Sequence, residues 1–171
     1  MVSIGPYNEA MNFRHMFDKY DLRGPYPIAV PSKNSISDII NNSHQFSRFS
    51  YILKLSKLEY TYGQQEANFT LFIPTDKSIQ HIPEAVFTNM DIATARNIVK
   101  ASTVNRKISI DVLRDSPASY ILTENLPNRL LVTNINGETY INNNNRLVGF
   151  QAHATNGIIH VVDSLLIPTI T

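Results

Sequence analysis

Apolar residues recur at helical spacing through the earlier part of this chain and at every second position through much of the later part. Ile36, Ile39 and Ile40, then Phe46, Phe49, Ile52, Leu53 and Leu55, fall on helix faces and predict two helices between Ser35 and about Leu58. Ser35 or Ser37 can cap the first and Ser47 the second, because a serine hydroxyl accepts from the free amides of a first turn. The run NFTLFIP, Asn68 to Pro74, predicts an extended segment. Thr75 and Asp76 follow it and are placed to cap a helix beginning near Lys77, a simpler role for them than a catalytic pair. Pro83 opens a helical turn through Val86 and Phe87, and Asp91 starts a helix carrying Ala95, Ile98 and Val99. Beyond Arg106 the period becomes two: KISIDVL alternates, LLVTNING ends in an Asn-Gly turn, ETYIN resumes, and RLVGFQAHA leads to a last hairpin. Asn142 to Asn145 read as a turn between strands. Helices followed by strands place the chain in the α+β class, with an antiparallel or mixed sheet system against a helical layer.

The closing stretch NGIIHVVDSLLIP, Asn156 to Pro168, is the piece around which the rest is organised. Asn156 and Gly157 both tolerate positive φ and signal a tight turn. A strand is predicted from Ile158 to Ile167, ended by Pro168, and its nearly continuous apolar character implies burial on both faces. His160 and Asp163 interrupt it and, in a period-two strand, point to opposite faces. His160 has no carboxylate two residues away on its face and no second histidine at ligand spacing. It therefore reads as a neutral imidazole hydrogen-bonded in the core, not as a base or metal ligand. Asp163 reads as a hydrogen-bond partner of a neighbouring loop.

Residues 1–33 differ from the rest. Phe13, Met16, Phe17 and Tyr20 have helical spacing and predict a short amphipathic helix from about Asn8 to Tyr20, before the extended, proline-bearing connector RGPYPIAVPS. The chain thus divides into an N-terminal arm, 1–33, and a domain, 34–171. The arm cannot build a core alone, so it docks on its own domain or, the reading preferred here, on a partner, with Phe13, Phe17, Tyr20 and Tyr26 as its candidate contacts.

A length of 171 residues suits one domain, and the absence of cysteine excludes disulfides, thiolate zinc sites and thiol nucleophiles. A formal net charge of +1 supplies no global attraction to nucleic acid or anionic membrane. Arg96, Lys100, Arg106 and Lys107 read as solvated cations at helix ends. No nucleophile elbow, HExxH pair or phosphate-binding glycine loop occurs among only six glycines, so the chain points to no catalysis and no cofactor. The N-terminus lacks the pattern of a secretory signal, and no uncharged apolar run has membrane-spanning length, so no membrane insertion is expected. Two sequons, Asn41-Asn42-Ser43 and Asn68-Phe69-Thr70, fit a secreted protein.

Two blocks carry a family resemblance. NFTLFIPTDKSI, Asn68 to Ile79, and ATNGIIHVVDSLLIP, Ala154 to Pro168, resemble the two signature blocks of the fasciclin domain family, and FSRFSYILKLSKLE resembles the helix before the first. The resemblance spans about Ser35 to Pro168 and falls on Pro74, Thr75, Asp76, Asn156, Gly157, His160 and Asp163 as motif residues. It implies a wedge-shaped β-sandwich with helices along one edge, serving as a non-enzymatic adhesion or protein-interaction module outside cells. Many members carry a Tyr-His pair associated with receptor contacts where this chain has Ala101-Ser102, so that mode of binding is not implied. A second reading is a structural subunit of a large assembly, such as a minor component of a virus particle, tethered by its N-terminal arm. The missing signal, the missing cysteines and the aromatic arm suggest it. In both readings the partners are other proteins.

Overall fold

Local caps set the first elements of the computed structural model, which describes residues 34–168. The arm with Phe13, Phe17, Tyr20 and Tyr26 lies outside the described residues. Helix α1 (Ile36–Asn42) begins on a reciprocal cap: Ser35 Oγ accepts from the Asp38 amide at 3.2 Å, and the Asp38 carboxylate accepts from the Ser35 amide at 3.4 Å. Ile36, Ile39 and Ile40 are fully buried by it. Helix α2 (Ser47–Ser56) buries Phe49, Ile52 and Leu53 and stops at Lys57, whose φ of 63° takes the chain out of the helix.

Strand β1 (Phe69–Pro74) precedes helices α3 (Glu84–Thr88) and α4 (Ile92–Ala101), strand β2 (Thr103–Val104) and helix α5 (Ile110–Asp115). Asp91 caps α4, its carboxylate accepting from the Thr94 amide at 2.7 Å, as its position before the apolar pattern predicts. Strands β3 (Ser119–Leu122), β4 (Arg129–Ile135), β5 (Glu138–Ile141), β6 (Asn145–Ala154) and β7 (Gly157–Val162) follow.

Two expectations are corrected here. KISIDVL does not continue as a strand: Ser109 Oγ accepts from the Val112 amide and starts α5, which buries Ile110 and Leu113, one turn apart. Over so short a run, a helix face and an alternation fit the same residues. The closing strand ends at Val162 instead of Ile167, because Asp163 is diverted to β6. Its amide donates to the Arg146 carbonyl at 3.1 Å and its carboxylate accepts from the Arg146 amide at 2.9 Å. Asp163 therefore bonds a strand, where a loop had been expected.

The described strands form one ladder in the order β2-β1-β7-β6-β5-β4-β3. Its centre is the parallel pair of β1 and β7, from Phe69 opposite Gly157 to Pro74 opposite Val162, and every other pairing is antiparallel. Both strands are buried along their whole length, as a parallel pair covered on two faces should be. Alternate residues enter two separate cores. Leu71, Ile73, Ile159 and Val161 join the cluster formed with α1, α2 and α4; Phe72 and Val162 join the one formed with α5, β3, β4 and β5. Strand β6 serves both halves. Its start pairs with β5, its end pairs with β7, and the register shifts between Leu147 and Gln151. The two outer strands approach each other where the Glu124 amide donates to the Thr103 carbonyl at 2.9 Å.

Candidate functional site

The motif residues of the two blocks meet around the β1–β7 pair, and most of them face inward. Asn156 is 1% exposed and ties three distant segments together. Its Oδ1 accepts from the Ile36 amide at 2.9 Å, while its Nδ2 donates to the carbonyls of Tyr62 at 2.8 Å and Gln64 at 2.9 Å. Its own carbonyl accepts from the Phe69 amide at 3.0 Å, which starts the parallel ladder. Every polar atom of the Asn156 amide side chain thus finds a partner. Gly157 follows because the backbone of β1 is too close for anything larger: an added Cβ would stand 2.0 Å from the Phe69 carbonyl oxygen.

The Thr75 hydroxyl accepts from the Ser78 amide at 3.4 Å beside a short 3₁₀ turn, Lys77–Ile79. Asp76 does not join it. The carboxylate reaches back to α2, accepting from the amides of Ser47 at 3.2 Å and Arg48 at 2.8 Å and from the Ser47 hydroxyl. Asp76 thus supplies the N-terminal cap that Ser47 had been expected to provide, and a carboxylate there is favoured by the helix dipole. Arg48 extends the same junction. Its guanidinium donates to the carbonyls of Ile79 at 2.9 Å and Ile82 at 3.0 Å and lies 4.7 Å from the Phe87 ring centroid.

His160 is fully buried on β7, its ring stacked on Phe72 at 5.3 Å between centroids. Nε2 lies 2.7 Å from the Ile108 carbonyl, which can only accept, so Nε2 carries the proton and Nδ1 the lone pair. Among the described residues Nδ1 has no partner. Burial, the dominant cause, pushes the imidazole down from 6.5 to about 4. His160 is therefore neutral at pH 7 and closed off from solvent.

The consequence for stability has a definite sign. Between pH 6.5 and about 4 the unfolded chain binds a proton that the folded chain refuses. This contribution to stability is complete above about pH 6.5 and is lost as pH falls toward 4, about 2–3 kcal/mol between pH 7.5 and 4.5. Urea midpoints of wild type and His160→Phe at both pH values check it. The wild type should lose that much more than the variant over the same interval.

Two surfaces among the described residues gather groups that the interior does not consume. Beside α1 and α2 an open cleft of about 450 Å³ presents Asn41, Asn42, Ser43, His44, Tyr51 and Lys54. Asn41 is held within it, Nδ2 donating to Glu59 Oε2 at 2.7 Å and Oδ1 accepting from Ser50 Oγ at 2.6 Å, whereas Asn68 is exposed just before β1. At the far end of the ladder, Tyr120 and Leu122 project from β3, 60% and 62% exposed, with Leu126 beyond them at 68%. Sequence reading passed over these residues. The alternation of SYIL marks a strand, but exposure on it follows from sheet order, which no local pattern records. Among the described residues, no helix is long and apolar enough to cross a membrane.

Comparisons with known proteins agree with this geometry. A family model described as the fasciclin domain matches residues 44–168. Among solved structures, the chain is similar to a FAS1 domain pair from the insect cell adhesion molecule fasciclin I, at a TM-score of 0.64 and 19% identity. That match covers 81% of this chain and 52% of the other, so this chain spans about half the length of that structure. No curated protein matches.

Proposed function

Because the chain belongs to the fasciclin domain family, known for adhesion and protein interaction, we propose that it is a non-enzymatic adhesion module working at a cell surface or in an extracellular matrix. The observation that carries this reading is the fate of the motif residues. Asn156 and His160 are at most 1% exposed, and each is hydrogen-bonded to backbone within the fold. Groups held in this way stabilise a scaffold and leave recognition to its outer surface. The bent ladder, with α1, α2 and α4 packed on one core, supports the wedge-shaped sandwich with a helical layer as the scaffold concerned. Exposed Asn68 supports an extracellular setting, being open to a glycan, while the Asn41 amide is already engaged.

Beads coated with the chain should be retained on cells or matrix proteins above beads coated with an inert protein of similar charge. No excess retention, or specific labelling of the chain by serine-reactive probes, overturns the reading.

A further inference from the structure

The cleft beside α1 and α2 has a frame of engaged groups and a rim of unengaged ones. One wall is a stripe of α2: Ser47, Ser50, Tyr51 and Lys54 fall at helical spacing and line the cleft along about two turns, roughly 10 Å. The other wall is the end of α1 and the residues just after it. The Asn41 amide joins the two, held between Ser50 Oγ at 2.6 Å and Glu59 Oε2 at 2.7 Å, and Ser47 is fixed by its bond to the Asp76 carboxylate. The shape is therefore set before anything binds, which lowers the cost of ordering a site.

The rim is chemically narrow. Asn42, His44, Tyr51 and Lys54 are exposed there, and no side-chain bond or ion pair engages them among the described residues. They offer an amide, an imidazole, a phenol and an ammonium, so donors and acceptors stand side by side with one flat carbon ring and one positive charge. The neighbouring carboxylates are already committed, Glu59 to Asn41 and Asp76 to the first turn of α2, which leaves Lys54 the unpaired charge of the rim. Ser43 lines the same cleft and is 3% exposed, and its Oγ has no partner among the described residues. A buried hydroxyl is ordinarily bonded, and the cleft is the side from which a bonding group can approach this one.

We propose that this cleft binds an acidic sugar, a uronic acid unit of an extracellular polysaccharide. Tyr51, 42% exposed, stacks on the apolar face of the pyranose ring. Asn42, His44 and Ser43 bond the sugar hydroxyls, each of which both donates and accepts. Lys54, one turn along α2 from Tyr51, pairs with the carboxylate. The lining disfavours other ligands. A peptide needs an apolar pocket for an anchoring side chain, and Tyr51 is the one large apolar group here; a nucleotide needs backbone amides converging on its phosphates, and no glycine loop borders the cleft. A volume of about 450 Å³ holds about one or two sugar units. Because the cleft is open to solvent, a single site binds weakly, and a polymer that engages many copies supplies the avidity.

The inference deepens the adhesion reading and takes its setting from it. Titration of the full chain with a disaccharide of glucuronic acid and N-acetylglucosamine, followed by NMR of backbone amides, should shift residues 41–54 with a Kd of about 1 mM. The uncharged disaccharide of two N-acetylglucosamine units should bind about fivefold or more weakly, and inorganic sulfate should leave those signals in place. Lys54→Gln should bring the acidic disaccharide down to the affinity of the neutral one, Tyr51→Ala should weaken both about tenfold, and Lys107→Gln should change neither. If Tyr51→Ala does not fold, Lys54→Gln and the neutral sugar decide. The proposal is overturned by an absence of shifts at about 20 mM disaccharide, by shifts scattered away from residues 41–54, or by equal binding of the neutral sugar. Sulfate that reproduces the shifts overturns it too, since ion pairing at Lys54 then explains them, as does binding that both cleft substitutions leave intact. A chain that binds no sugar but is retained on cells overturns the cleft alone; one that binds sugar but is not retained overturns the adhesion reading alone.

Discussion

Gly157→Ala is expected to destabilise the fold by more than about 4 kcal/mol, enough to lower the melting temperature by roughly 10 °C or to prevent folding. The added Cβ would stand 2.0 Å from the Phe69 carbonyl oxygen, 2.9 Å from the Phe69 carbonyl carbon and 2.9 Å from Ile36 Cδ1. Two of those three atoms are backbone, so a rotamer change cannot relieve the clash. The first rung of the β1–β7 pair has to open. Gly137→Ala is the matched control. Gly137 has φ of +82° in the turn between β4 and β5, and nothing lies within 4 Å of its would-be Cβ. It should cost only the left-handed backbone preference, about 1–2 kcal/mol. Urea denaturation of both variants checks the pair, and equal losses would show that crowding at Phe69 is not what requires Gly157.

Asn156→Ala should cost about 3–5 kcal/mol. It strips partners from the Ile36 amide and from the Tyr62 and Gln64 carbonyls, and a buried group left without a partner costs about 1–3 kcal/mol. The three bonds do not add fully, since the cavity is small and water can reach the less buried Gln64. Asn156→Asp separates hydrogen bonding from shape. It keeps an acceptor for Ile36 but turns an oxygen toward two carbonyls, so it should be no more stable than the alanine variant at pH 7. Denaturant midpoints with unchanged slopes are the measurement. A loss below about 1 kcal/mol for Asn156→Ala would mean that the three segments are held by packing alone.

Short-range causes were legible in the sequence and long-range ones were not. Ser35 and Asp91 could be read as caps because each cap closes within three residues. Asp76 could not, because the helix it caps lies 29 residues upstream in sequence. Asn136-Gly137 is the turn that its dipeptide announces, both residues at positive φ. Asn156-Gly157 has the same letters for another reason: the asparagine bonds segments 120 and 94 residues away, and the glycine clears a passing strand. The burial of β7 on both faces was written in its nearly continuous apolar run, whereas that of β1 was not anticipated. The exposed row on β3 was not, since whether a strand is central or terminal is decided by its neighbours.

The parallel pairing of β1 with β7 also dictates a timetable. Both cores share this wall, and one half of it is the last of the described strands. Emerging from the ribosome, the chain cannot complete either interior until Val162 is free, and before then its apolar helices have only one another for cover. Distant partners of this kind make for slow acquisition of structure. Until the segment through Val162 arrives, the apolar faces that await it stay open to misassociation.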